Sequence, residues 1–335
     1  MNKLGAKTAD LDLACWLNGN NFLKTIDSDE SRLSGRFYFL SNLDEKKQRR
    51  KNFNVFELIE IIICNLVPRF KFIQAIPKAR VPILKFEAQI GQLLNCDLSL
   101  TNVEVSYLMT KLLWSYCKLD ERVAPLVFLV RHWACLAGVK LQASPSPSFT
   151  SFQLTCLVLF YLLKHQSPVI VCLDDLLDKK QYSNLIRHEK YQDNSVELEE
   201  ILINLTMKSD FSDIDLRNNM NLGELFEGFF KFYSTFNFNS NIIALSKTPL
   251  NKSSKASNQV FIENPFMPSL NACKNVTPNK LHYFQNMCKT TNTIINKSKP
   301  NLNLSKLLID VKNSKNTGMS LINKDKNVYE DMMIY

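Results

Sequence analysis

None of the nine cysteines in this 335-residue chain stands in a C-x-x-C pair, and the four histidines are scattered without metal-ligand spacing. A zinc site or a disulfide framework therefore has no pattern to rest on. Most of the thiols lie in apolar runs and are expected to be reduced core residues of an intracellular protein. Long apolar runs are missing too. The longest, Phe152–Leu163, is broken by Gln153 and Thr155 and falls short of the roughly 20 residues that span a bilayer. Met1 runs straight into patterned sequence, so neither a leader nor a membrane segment is expected. No Ser-His-Asp or Cys-His arrangement is suggested. Arginine is absent from Asn241 onward, where 13 lysines face five acids and supply +8 of the net charge of +9. That excess, with a pI near 9.0, suggests an anionic partner such as nucleic acid or a membrane surface, against the plainer reading of ordinary solubility.

What is present is organised around Gly5-Ala6-Lys7-Thr8-Ala9-Asp10-Leu11-Asp12-Leu13. Strand side chains alternate faces, so Asp10 and Asp12 project to one side and Leu11 and Leu13 to the other. Neighbouring carboxylates repel unless a cation sits between them. The natural cation is Mg²⁺, which takes one or two carboxylates together with substrate phosphates. A solvated acid pair is the competing reading. The segment Asn95-Cys96-Asp97-Leu98-Ser99 places a third carboxylate, Asp97, in a second alternating strand, and three acids on two strands are a candidate metal site.

The chain is 45% hydrophobic, and its length suits two domains. Residues 24–52 are polar and read as an inserted loop, with one strand near Phe37–Leu40. The basic run at 45–51 is a solvated face or an RNA contact. Helical spacing spans Val55–Val67, and strands are expected at Lys71–Ile76, Val81–Phe86 and Gln92–Leu100. After Asn102 the pattern turns helical. Tyr107–Leu119 is one helix. Asp120 is positioned to cap the next, which ends near Gly138. Phe149 or Thr150 opens a very apolar helix to Lys164, Leu222–Phe236 forms an aromatic-rich one, and Pro278 starts another that reaches Lys297. The Asn- and Lys-rich tail after Lys299 is expected to be disordered. The fold class is thus α+β: a mixed-sheet palm over 1–103, a helical domain over 104–297 and a basic tail over 298–335.

In this order the chain resembles the non-canonical poly(A) polymerases and terminal uridylyltransferases, within the polymerase-β-like nucleotidyltransferases, and most of all their mitochondrial branch. The motifs are G-x-K-T-A-D-L-D-L at 5–13, A-R-V-P-I-L-K-F at 79–86, C-D-L-S at 96–99 and L-D-E-R-V at 119–123. They continue with V-R-H-W-A at 130–134, S-F-T-S-F-Q-L-T at 148–155, F-I-E-N-P-F at 261–266 and S-L-N-A-C-K-N-V at 269–276. The resemblance implies a nucleotidyltransferase palm, incomplete at its N-terminus, followed by a helical poly(A) polymerase-type domain with its associated region. It implies that Asp10, Asp12 and Asp97 are catalytic and hold Mg²⁺ or Mn²⁺ for two-metal phosphoryl transfer. ATP is the implied substrate and a mitochondrial RNA 3′ end the acceptor, in a mitochondrial or otherwise cytoplasmic protein that could form a homodimer. Phe152 matches the aromatic that stacks on the incoming base, which binds without choosing because every base has a π-face. Ser151 matches its polar neighbour, Thr110 a threonine near the ribose, and Arg131 a basic residue on the triphosphate. Leu270 replaces a histidine that contacts uracil in uridylyltransferases.

Departures from the family pattern bear on these expectations. Cys135 stands where a second basic residue is usual, Asn264 where the Asp of Asp-Pro-Phe stands, and Met267 where an acid often follows. The family's Gly-Ser motif precedes the Asp pair, whereas only nine residues precede Asp10 here, so the palm is expected to be incomplete and the chain poorly active. The alternatives are a terminal uridylyltransferase and a catalytically inactive RNA-binding or dimer-partner paralogue.

Overall fold

The computed structural model describes residues 11–14, 59–61, 70–76, 82–90, 92–99, 103–140, 148–177, 180, 182–185, 205–208, 211, 214, 216–247, 260–298 and 303–314. They fall into two units, one within 5–107 and the other within 108–335.

The first unit is a four-stranded mixed sheet of order β1-β4-β3-β2. Its strands are β1 (Leu11–Ala14), β2 (Phe70–Ile76), β3 (Ile83–Ile90) and β4 (Gln92–Ser99). β1 runs parallel to β4, and the other two pairings are antiparallel. Alternation decides which face is buried. Leu84, Phe86, Ala88 and Cys96 are buried, and Leu11, Phe70, Phe72, Leu94, Leu98 and the helical residue Ile59 pack against them. Phe70 stacks on Phe86 with ring centroids 5.3 Å apart. The alternation in β3 runs on through Glu87 and Ala88 to Ile90, opposite Gln92, so this strand starts at Ile83 and ends four residues beyond the Val81–Phe86 pattern. The inserted loop, the strand at 37–40 and most of the helix at 55–67 lie outside the described residues.

The second unit is helical, and the first helix, α1 (Val103–Leu119), leads into it. Then come α2 (Val123–Leu136), α3 (Ser151–Lys164), the single turn α4 (Leu173–Leu176) and α5 (Leu222–Thr235). A hairpin of β5 (Glu263–Asn264) and β6 (Met267–Asn271) precedes α6 (Pro278–Ser298). Trp133 sits at the centre with no exposure. Its ring meets Phe230 at 4.8 Å, Phe284 at 6.1 Å and Phe229 at 6.5 Å, and its indole N–H donates to Thr291 Oγ1 at 2.9 Å. The Tyr233 hydroxyl donates to the Leu157 carbonyl at 2.7 Å. Buried aromatics whose polar tips find partners are the efficient way to fill such a core. At Gly228 a Cβ would lie 2.2 Å from the Tyr161 hydroxyl, so glycine is what lets α5 approach α3.

Three expectations need correction. The α1 pattern begins at Val103 rather than Tyr107. Asp120 does not cap α2: the N-cap position is Arg122, without a side-chain cap. The Asp120 carboxylate instead accepts from the Arg122 backbone N–H at 2.8 Å and from its guanidinium at 2.6 Å. Arg122 reaches on to Asn218 Oδ1 at 3.0 Å and to the Met220 carbonyl, so the L-D-E-R segment fastens the chain that enters α5. Finally, the tail is not structureless throughout, because 304–314 form a helix, α7, that buries Leu307 and Val311.

Candidate functional site

In the sheet, strand register brings two of the expected acids together. Asp12 on β1 stands opposite Asp97 on β4, and Asp97 stands opposite Lys85 on β3, which stands opposite Gln74 on β2. Residues at one level of the ladder share a face, so the four form a polar row across the sheet, opposite the apolar core. The Lys85 ammonium donates to Asp97 Oδ1 at 3.0 Å and Oδ2 at 2.8 Å. Those side chains are 34% and 20% exposed, and Asp12 is exposed. One level along, Lys71 and Glu87 pair at 3.7 Å. Asp10 lies outside the described residues, and among those residues no group of three or more metal-binding side chains occurs.

Asp12 and Asp97 suit a hard divalent cation. Both offer carboxylate oxygens, and adjacent strands lie about 4.8 Å apart. Lys85 was not foreseen as a site residue. It lies within A-R-V-P-I-L-K-F, but only the β3–β4 register reveals its position beside Asp97.

In the helical unit, the start of α3 is built by hydrogen bonds from distant segments. Thr150 caps the helix, accepting from the Gln153 N–H at 3.2 Å, while Gln153 Oε1 accepts from the Thr150 N–H at 2.8 Å, which is a capping box. The Gln153 amide also donates to the Ala272 carbonyl at 2.7 Å and to Asn275 Oδ1 at 2.5 Å, and Asn275 donates to the Ser148 carbonyl at 2.9 Å. The turn after β6 is thereby fixed against the segment that enters α3. Ser151 and Phe152 open this helix, Phe152 half-buried. Lys140, beyond the Gly138 turn (φ 72°) that ends α2, donates to Ser151 Oγ at 2.6 Å. A lysine at a helix N-terminus opposes the helix dipole, an arrangement that an anion would relieve.

The remaining expected residues lie on three other elements. Thr110 is exposed on α1, Arg131 is half-buried on α2, and Leu270 is half-buried on β6. Burial pushes the Arg131 guanidinium below its ordinary value, with Cys135 acting in the opposite direction. A guanidinium remains charged even so, and a half-buried cation is favoured by an anionic neighbour. The Asn264 substitution preserves its turn, because Asn264 Oδ1 accepts from the Phe266 and Met267 N–H groups at 3.0 and 3.1 Å, a role open to either a carboxylate or an amide oxygen.

Comparison with known proteins extends this picture. A family model described as poly(A) RNA polymerase, mitochondrial-like, central palm domain matches residues 1–118, and one described as Cid1 family poly A polymerase matches residues 221–270. The chain is 32% identical to the mitochondrial poly(A) RNA polymerase of Drosophila melanogaster over 63% of its own length and 32% of that protein. It is 28% identical to that of Mus musculus over 90% of its own length and 48% of the relative. A crystal structure of mtPAP in complex with CTP superposes with a TM-score of 0.69 at 26% identity, covering 94% of this chain and 62% of that one. The chain thus spans about half, or less, of the curated relatives it matches. The mixed sheet followed by helices is the fold of that polymerase.

Proposed function

Because the chain belongs to the non-canonical poly(A) polymerase family, matched in its palm and again in its helical unit, we propose that it is a template-independent RNA nucleotidyltransferase that adds adenylates from ATP to RNA 3′ ends. The observation that carries this reading is the register pairing of Asp12 with Asp97 on the polar face of the sheet. With Asp10 they would hold Mg²⁺ or Mn²⁺. Such an ion, when bound, supplies charge neutralisation for the triphosphate and activation of the attacking hydroxyl. The carboxylates' own part is to fix the site on rigid strands, where small displacements are costly to an in-line displacement. The names of the mitochondrial relatives support mitochondrial RNA as the substrate and the mitochondrion as the location.

Residues of the helical unit hold the nucleotide in this reading. Phe152 stacks on the base, Ser151 and Arg131 take triphosphate oxygens, and Thr110 lies toward the ribose. Lys140, on the Ser151 hydroxyl at 2.6 Å, assumes the part of the basic residue that Cys135 replaces. Leu270 has no group to bond a uracil edge, so uridine gains nothing there. Losing such a contact is worth about 1–3 kcal/mol of discrimination. The mtPAP complex with CTP argues that selection is a preference among bound nucleotides rather than exclusion of pyrimidines.

The test is a tailing assay on an RNA primer with Mg²⁺ and competing ATP and UTP, using the full chain and its Asp97→Ala variant. ATP incorporation that exceeds UTP and vanishes in the variant is expected. Equal or greater use of UTP refutes the adenylate assignment, and near-normal tailing by Asp97→Ala refutes the site.

A further inference from the structure

We propose that Lys85 is the resident counter-ion of the carboxylate row, holding Asp97 in place in the metal-free chain and competing electrostatically with a divalent cation for it. This rests on the reading of Asp12 and Asp97 as metal ligands. Lys85, Asp97 and Asp12 occupy one level of three adjacent strands, so the lysine is aimed by backbone register and not by a flexible loop. Its ammonium engages both oxygens of Asp97, at 3.0 and 2.8 Å. The pair is largely withdrawn from solvent, with side chains 34% and 20% exposed, so screening weakens it less than an open surface pair. Glu87, two residues along β3 on the same face, is paired with Lys71.

Two carboxylates on neighbouring strands repel in the absence of a cation. The ammonium offsets that repulsion and keeps the sheet stable while empty of metal. Each carboxylate oxygen has two lone pairs, so Lys85 does not block the acid sterically. Its positive charge opposes a second cation through space, and the metal affinity of the row is set lower than the two acids alone would give. A merely structural ion pair behaves differently: its loss lowers stability equally with and without metal and leaves metal affinity unchanged or weaker.

The experiment titrates the full chain with Mn²⁺, following free Mn²⁺ by electron paramagnetic resonance, and measures Tm in EDTA and in saturating Mn²⁺. Wild type, Lys85→Met and Lys85→Arg are compared. Lys85→Met is expected to bind Mn²⁺ on the order of tenfold more tightly, to melt lower in EDTA, and to gain more in Tm from Mn²⁺ than wild type does. Lys85→Arg stays near wild type. Unchanged or weaker Mn²⁺ binding by Lys85→Met, with wild type binding normally, overturns the counter-ion role alone. Absence of Mn²⁺ binding in wild type overturns the metal reading of the row and this inference with it. Should Lys85→Met fail to fold, Lys85→Gln, which keeps a polar donor one bond shorter and without the charge, must show the same tightening.

Discussion

The palm sheet and the start of α3 both place polar side chains against an apolar core, but by different means. In the sheet, backbone register sets the row Asp12–Asp97–Lys85. Once the strands pair, every second residue faces the same way, and no side chain is needed to aim its neighbour. At α3, side chains themselves do the positioning: Gln153 and Asn275 tie the helix start to residues more than a hundred positions away. A register-built site keeps the level and face of its remaining members when one is substituted. A site tied by side chains couples its geometry to the packing of the whole helical unit.

This contrast can be broken at the helical side first. Trp133→Ala empties the centre of the aromatic core and removes the indole donor to Thr291 Oγ1. It should cost about 3–5 kcal/mol, read as a large loss of Tm, and should degrade ATP binding as the α3 entrance loosens, while Mn²⁺ binding by the sheet survives in whatever fraction remains folded. A variant that melts like wild type contradicts the central role given to Trp133.

A smaller effect sharpens the division of labour. Arg131→Met keeps the apolar stem and removes the half-buried charge, whose ionisation burial opposes. Its expected signature is a roughly tenfold rise in KM for ATP, about 1.4 kcal/mol, with Tm unchanged or slightly higher. Unaltered KM excludes Arg131 from the triphosphate.

The smallest effect concerns pH. Burial pushes the Cys156 thiol up from 9.0 to about 12. Folded and unfolded chains both keep the proton below pH 9. Between 9 and about 12 the unfolded chain loses it first, so stability is present below pH 9 and falls as pH rises through that window. Cys156→Ala should make the decline of Tm between pH 9 and 11 shallower, whatever its effect on Tm at pH 7. An unchanged slope assigns the alkaline loss to other buried groups, such as Tyr116, Tyr233 and Cys288.

Much of the architecture was legible in the sequence because its periodicities are local. Alternation at Leu11–Leu13 and Leu94–Leu98 marked the strands and their polar face, and the very apolar run after Phe149 or Thr150 marked α3, although not the Thr150–Gln153 capping box at its start. Pairings between distant segments were not legible. Nothing local says that Asp12 lies level with Asp97, 85 positions away, or that Lys85 lies beside it. Asp120 looked like a cap because acids before helices usually cap, but the neighbouring Arg122 captures its carboxylate. The helix at 304–314 was hidden by Asn- and Lys-rich composition, although Leu307 and Val311 are spaced one turn apart, as a buried stripe requires.

The claim on which the account turns is that Asp12 and Asp97 form one metal site. The most direct measurement is Mn²⁺ affinity of the full chain for Asp12→Ala, Asp97→Ala and the double variant, compared as a double-mutant cycle. A shared site predicts that each single variant weakens Mn²⁺ binding by at least about tenfold and that the double variant is scarcely weaker than the worse single one. Losses that simply add, or a single variant with wild-type affinity, would contradict it.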